Sequence, residues 1–473
     1  MMQDGRELWQ YDATELAHLI KTREVSSVEV VDAHLSRIDD VNPRLNAIVM
    51  VLHDLAKSAA VEADKALARG EEVGKLHGVP VTTKVNTDQA GCPSDNGVEA
   101  FKDLIADDDS ATVSNLKKSG ALIIGRTNTP EFSMRWFTEN KLHGNTLNPW
   151  NPDLTPGGSS GGAASLVASG MAPIGQGNDI AGSVRYPAYC CGLVGLRPSI
   201  GRVPAYNPLI GGSGRPISAQ LMAVQGPLTR TVRDARIAIE VFSMRDHRDP
   251  NWVDVPRQGT VSPGITKIAL VDDPAKRGVA KNVGDAVRKA GKWLEDAGFT
   301  VEKIEPPRLG ETADLWASIA ANDVLKVMQP QVDEYGNDDI KTSIEYWRSE
   351  CSGNGPQAVL DALAERESLL REWVGFMEEF PVILMPVSCE EPFPVGFDVK
   401  DLDSFKRTFS AQLPQLAIPV LGLPAVAVPT GINNDVPMGV QIVSGRYCDH
   451  ICLDIAEIIE ARTEPWVPVN KSA

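Results

Sequence analysis

Three short stretches of this chain could do acyl chemistry together. Residues 155–165 read TPGGSSGGAAS and residues 178–187 read NDIAGSVRYP. Each sets a serine among small residues, where backbone N–H groups can come close to a ligand. Ser159 and Ser183 stand twenty-four positions apart. A nucleophilic serine needs a group to take its proton, and neither stretch holds a histidine. The third stretch, GVPVTTK, ends a short apolar run on Lys84. Lysines in such places mostly reach solvent. A lysine drawn out of water, however, loses its proton more readily and can act as a base near neutral pH. Ser159 is then a candidate relay.

Other readings of the serines are weaker. GGSSGG lacks the lysine of a phosphate-binding loop. It fits G-x-S-x-G on both Ser159 and Ser160, but a nucleophile elbow needs a buried strand before its serine. Here TLNPWNPDLTP precedes it and reads as irregular loop. A flexible Gly/Ser surface loop is the plain alternative. Against it, the chain runs from Ser160 through Gly161 and Gly162 into an apolar helix start. Ser183 lies between an apolar strand and CCGLVGL. Consecutive N–H groups ending on a serine suit an oxyanion hole. Asp179 and Arg185 flank that turn with opposite charge and read as an ion pair that fixes it. The histidines at 18, 34, 53, 77, 143, 247 and 450 fall mainly in helices or a charged turn. A Ser–His–Asp triad stays open, since triads assemble in space.

These residues need a scaffold, and the periodicity supplies one. SSVEVVDAHLSRI opens on a capping box, Ser26 with Glu29, and repeats apolar residues at helical spacing until Asn42-Pro43 ends it. An Ala-rich helix over 53–69 stops at Gly70. Strands are expected at VPVTT (79–83), ALIIG (121–125), MAPIGQG (171–177), ITKIALVDD (265–273), TVEKIEP (300–306) and MGVQIVS (438–444). Helices fall between several of them, at 111–118, 161–170, 284–297 and 451–461. This alternation indicates an α/β fold with a large sheet covered by helices. Residues 311–380 are helical in pattern and carry Trp316, Tyr346, Trp347, Trp373 and Phe376. The run LPQLAIPVLGLPAVAVP (413–429) holds four prolines and reads as buried extended chain and turns, not a membrane helix. Without a repeat or low-complexity linker, the 473 residues read as one compact unit.

Composition narrows the class. The net charge of −17 argues against nucleic acid and anionic membranes as partners. The N-terminal stretch has no apolar core of a signal peptide. Seven scattered cysteines lack the paired spacing of a zinc site and read as reduced thiols of a cytoplasmic protein.

In order along nearly the whole chain, LHGVPVTTK, GALIIGRTNTPEF, PGGSSGGAAS, DIAGSVRYPAYCCGLVGLRPS and LGLPAVAVPTG…MGVQIV resemble the amidase signature hydrolases. The resemblance implies a single α/β/α domain with a large mixed sheet over residues 1–473. That domain has a helical lead-in at 1–70, a catalytic core at 76–205 and a mainly helical insertion at 311–410 bordering the substrate pocket. It implies that Lys84 is the general base, Ser159 the bridging serine on a cis peptide bond, and Ser183 the nucleophile. The N–H groups of Ile180, Ala181, Gly182 and Ser183 would form the oxyanion hole, with Ser160, Asp179 and Arg185 in support. No metal or cofactor is implied. The chain departs from the family pattern at Val85, Asn178, Ala181 and LRPS (196–199), where Asp, Thr, Gly and LKPT are usual.

The expected activity is cleavage of a small amide, or of a carbamate (urethane) or ester, through a Ser183 acyl-enzyme. Trp136, within Arg135–Trp136–Phe137, and Asn178 are expected at the substrate pocket, with the 311–380 block as an apolar wall. An apolar pocket favours aryl or alkyl amides. The protein is expected as a monomer or homodimer acting on a small molecule. A glutamine-amidohydrolysing subunit of a transamidase complex is the alternative. A non-catalytic protein on the same fold should have lost one of the three residues, and none is lost.

Overall fold

Side chains alternate across a strand, and here the alternation feeds two separate cores. On one strand Val382 and Leu384 pack into one core while Ile383 and Met385 pack into the other. Such a strand must lie between two helical layers. The computed structural model describes residues 5–210, 215–255, 266–350 and 355–464. Its strands are β1 (Ile48–Val51), β2 (Pro80–Lys84), β3 (Leu122–Thr127), β4 (Glu139–Asn140), β5 (Gly144–Asn145), β6 (Ile174–Asp179) and β7 (Val194–Arg197). They continue with β8 (Val224–Thr229), β9 (Lys267–Leu270), β10 (Thr300–Lys303), β11 (Val382–Pro386), β12 (Ala425–Asn433) and β13 (Val436–Ser444).

β4 and β5 pair only with each other. The other eleven form one sheet in the order β1-β3-β2-β6-β8-β7-β12-β13-β11-β9-β10. Pairing is parallel for β3–β2–β6 and for β11–β9–β10, and antiparallel at β1–β3 and from β6 through β8, β7, β12 and β13 to β11. The sheet is therefore mixed and sits in a single α/β/α domain. Among the described residues no helix is long and apolar enough to cross a membrane.

Local signals held where capping chemistry was explicit. Ser26 and Glu29 form the capping box, Ser110 accepts from Val113 N–H, and Gly70 and Gly120 take positive φ. Asn42-Pro43 does not end its helix, which runs to Leu45 and turns out through Asn46 in the left-handed region. The 413–429 run is corrected too. Its first half is the helix Leu413–Leu421, with Pro414 in the opening turn and Pro419 inside, and only Ala425 onward is strand. Pro414 fits because first-turn N–H groups have no intrahelical acceptor. The 311–410 segment is helical over Leu309–Tyr335, Asp338–Ser349 and Pro356–Glu379, but β11 breaks it and enters the sheet between β13 and β9. Five of the cysteines are buried thiols and Cys448 is half-buried. Cys351 and Ile265 lie outside the described residues.

A buried cation fastens the helical block to the rest. Arg135 Nε and Nη2 donate to both carboxylate oxygens of Asp398 at 2.9 and 2.7 Å, and Nη2 also reaches Glu139. Asp339, on the second helix of the block, is 3.7 Å from Nη1. Nearby, Glu131 accepts the N–H of Asn337 at 2.9 Å. Removing one partner of a buried pair strands the other charge. Asp398→Ala should therefore destabilise the fold by about 3 kcal/mol, seen as a lower urea midpoint, with Asp398→Asn milder.

Candidate active site

Lys84 is the last residue of β2, and β2 lies between β3 and β6. The residue is wholly buried, so its ammonium cannot snorkel to water. Nζ stands 2.7 Å from Ser159 Oγ, 3.0 Å from Asn178 Oδ1 and 3.3 Å from Ser160 Oγ. Burial pushes the lysine well below its ordinary range, and the Asp179 charge opposes that only in part. A neutral amine has two N–H donors and one lone pair. Asn178 Oδ1 and Ser160 Oγ can accept the two donors, which leaves the lone pair for the Ser159 hydroxyl.

The amide of Asn178 is oriented by a chain of its own. Its Nδ2 donates to Asn86 Oδ1 at 2.9 Å, Asn86 Nδ2 donates to Ser133 Oγ at 2.9 Å, and Ser133 Oγ donates to Asn96 Oδ1 at 2.6 Å. Flipping Asn178 would break that chain. Asn178 was expected at the substrate pocket, but it does not line the cavity beside Ser183 and holds Lys84 instead; Asn86, Ser133 and Asn96, which meet it only in the fold, were missed.

Ser159 follows a cis Gly158–Ser159 peptide bond. Thr138 clamps this turn, with Oγ1 donating to Gly157 O at 2.8 Å and accepting from Gly161 N–H at 3.1 Å. A Cβ on Gly158 would sit 2.6 Å from the backbone of the 135–137 segment. Ser160 N–H donates to Ser183 O at 3.3 Å, which brings the two serine turns together.

The second turn is wrapped around Asp179. Its Oδ1 accepts Gly182 N–H at 3.0 Å, its Oδ2 accepts Val184 N–H at 3.3 Å, and Arg185 grips both oxygens. Arg197, unremarked in the sequence except as part of LRPS, adds a second cation at 3.2 Å and also donates to Asp179 O at 2.7 Å. Gly182 N–H, one of the four expected to face an oxyanion, is instead taken by Asp179. Gly182 has φ +92°, and a Cβ there would lie 2.0 Å from Gln415 Oε1. Gln415 was not foreseen either, although two glutamines three apart in an apolar run were a legible signal.

Ser183, 6% exposed, opens on a narrow cavity of about 50 Å³. Ser133, Met134, Arg135, Trp136, Ile180 and Ala181 line it on one side, and Trp316, Ala320 and Trp347 line it from the helical block. Tyr346, Trp373 and Phe376 do not line it. Trp373 is core, with Nε1 donating to Pro307 O. Phe137 is likewise core. Among the described residues no histidine lines this cavity. His34 is buried with Nδ1 2.8 Å from Val30 O, and burial lowers it to about 4.

The family model described as Amidase matches residues 29–453. The chain is 43% identical to an indoleacetamide hydrolase of Bradyrhizobium diazoefficiens over 96% of this chain and 87% of that protein. It is 30% identical to a glutamyl-tRNA(Gln) amidotransferase subunit from Carboxydothermus hydrogenoformans, over 97% of this chain and 98% of that one. The solved structure of a bacterial aryl acylamidase of the amidase signature enzymes superposes with a TM-score of 0.84 at 27% identity, covering 98% of this chain and 99% of that one.

Two outcomes follow from the geometry around Nζ. Burial lowers the pKa of Lys84 in the folded state below its unfolded value, so between the two the unfolded chain binds more protons. Stability should therefore rise with pH from the lowered value up to about 10.4, the ordinary lysine range. Denaturant titrations across that window should show this slope in the wild type and its loss in Lys84→Met. In the second case, Asn178→Asp sets a carboxylate beside Nζ and favours the ammonium. The rising limb of the kcat/KM–pH profile should move alkaline by about one to three pH units, while Asn178→Ser leaves it near its original place.

Proposed function

The chain belongs to the amidase family and is a hydrolase of amide carbon–nitrogen bonds; from that premise we propose that it hydrolyses a small aryl amide through an acyl-enzyme on Ser183. The observation that carries this is a buried Lys84 2.7 Å from Ser159, with Ser183 facing a cavity walled by three indoles.

In this reading neutral Lys84 takes the proton of Ser159 as Ser159 takes that of Ser183. Ser183 Oγ bonds to the amide carbon, and the carbonyl oxygen becomes an oxyanion facing the N–H groups of the 180–183 turn. The carbon–nitrogen bond then breaks, and the proton held by Lys84 returns through Ser159 to the leaving amine. Water repeats the path, giving a proton to the relay and its oxygen to the acyl carbon, and the acid departs with Ser183 restored. No step calls on a metal or cofactor. Carbamates and activated esters present the same carbonyl to the same groups.

The similarity to an indoleacetamide hydrolase supports a flat bicyclic ring against Trp316 and Trp347. The similarity to an amidotransferase component keeps glutamine as the second reading. Glutamine would bring an ammonium and a carboxylate into an apolar cavity whose Arg135 is already committed to Asp398 and Glu139. We place the enzyme in the cytoplasm, as a monomer or homodimer with a small-molecule substrate and no nucleic-acid or membrane partner.

The purified protein should release ammonia from indoleacetamide far faster than from glutamine. Ser183→Ala should abolish turnover, and Lys84→Ala and Ser159→Ala should each lose orders of magnitude without additivity, since the three act as one relay. Amides should suffer more than activated esters, whose leaving groups need no returned proton. Glutamine as the sole good substrate would replace the aryl-amide reading.

A further inference from the structure

Two indole N–H groups end on the turn that carries Ser183. Trp316 Nε1 donates to Ile180 O at 2.8 Å, and Trp136 Nε1 donates to Ala181 O at 2.8 Å. Trp316 comes from the helix Leu309–Tyr335 and Trp136 from the loop after β3, so the two donors reach adjacent carbonyls from different parts of the chain. Both rings are buried, and both line the cavity at Ser183. They sit in one aromatic cluster, with Trp347 at 5.2 Å from Trp316 and 6.1 Å from Trp136 between ring centres, and Phe409 against both.

A peptide unit is planar, and in the trans form its C=O and N–H point in opposite directions. The Ile180 carbonyl shares a plane with Ala181 N–H, and the Ala181 carbonyl shares one with Gly182 N–H. A donor on each carbonyl therefore sets the direction of each N–H. The second plane is held at both ends, by Trp136 on its oxygen and by Asp179 Oδ1 on its N–H at 3.0 Å. The first is held through its oxygen by Trp316, which turns Ala181 N–H away from that indole. Inside an apolar cluster an indole N–H needs an acceptor, so the pairing resists exchange.

We propose that Trp316 and Trp136 are positioning residues for the oxyanion turn: besides walling the cavity, Trp316 fixes the peptide plane that aims Ala181 N–H at the oxygen that becomes negative when Ser183 attacks, and Trp136 holds the next plane, whose Gly182 N–H is tied to Asp179. This rests on the reading of Ser183 as nucleophile. It couples the specificity wall to the rate. A ring seated against Trp316 and Trp347 bears on the donor that orients the turn, so the fit of the aryl group acts on kcat and not on affinity alone.

The test removes the N–H and keeps the ring. Trp316 and Trp136 are replaced singly by the benzothiophene isostere of tryptophan, with Trp316→Phe and Trp136→Phe alongside in case the isostere folds poorly. Two rates are read: kcat and KM on indoleacetamide, and the rate at which a fluorophosphonate labels Ser183, an attack that also builds negative charge on an oxygen. At position 316 the isostere should lower kcat by about tenfold or more with KM within about threefold, and slow labelling in proportion. A raised KM with unchanged kcat and unchanged labelling would show wall residues only and overturn the proposal. A wild type that labels at Ser183 but cleaves no aryl amide refutes the substrate reading, and the labelling rates still judge this one. Labelling at another residue refutes both.

Discussion

Asp179 is a carboxylate with no exposure to water, and the site is built around it. Burial works against its charge, yet Arg185 and Arg197 outweigh that and hold its carboxyl below the usual range. Its oxygens also take the amides that shape the Ser183 turn. Its charge also favours the ammonium of Lys84, and burial of the lysine outweighs that. The same group thus bends the turn that carries Ser183 and fixes one peptide plane within it. Neutralising it would leave two guanidiniums buried and underpaired, a loss of about 3–5 kcal/mol by the usual cost of a broken buried pair.

The helical block has a role that its composition did not declare. Of the five aromatics that drew attention between 311 and 380, Trp316 and Trp347 face the cavity, whereas Trp373 serves the core. What distinguishes Trp316 is a hydrogen bond to a residue 136 positions away. The Arg135 cluster and the Glu131–Asn337 bond tie the block down at its other helices. Wall and turn are joined directly by the Trp316–Ile180 bond.

Legibility tracked locality. Caps, glycine stops and short apolar runs lie in adjacent residues, so β2, β3, the helices at 53–68 and 111–118 and the start of the one at 27–45 could be read directly. The motif residues Lys84, Ser159 and Ser183 were readable because their neighbours are small and close-packed. Prolines misled at 413–421, where counting them as breakers overlooked that Pro414 needs no N–H acceptor in a first turn. β11 was hidden inside a helical segment because a five-residue apolar run between helices has no period to show. Arg197, Asn86 and Ser133 carry no local signal for their roles, since each acts on a group brought to it by the fold.

The position of β12 and β13 has a consequence for how the protein is made. Arg185 completes its set of acceptors with Gln415 O and Gln441 Oε1, the latter 256 residues downstream. The strands emerging first from the ribosome, β1, β3, β2, β6, β8 and β7, form one contiguous half of the sheet whose β7 edge stays open until β12 arrives. A nascent chain that already bears Lys84, Ser159 and Ser183 therefore lacks the contacts that close their surroundings, and its exposed edge invites association with other strands. The surroundings of these three residues are thus closed only once Gln415 and Gln441 are in place, and until then the open edge needs cover.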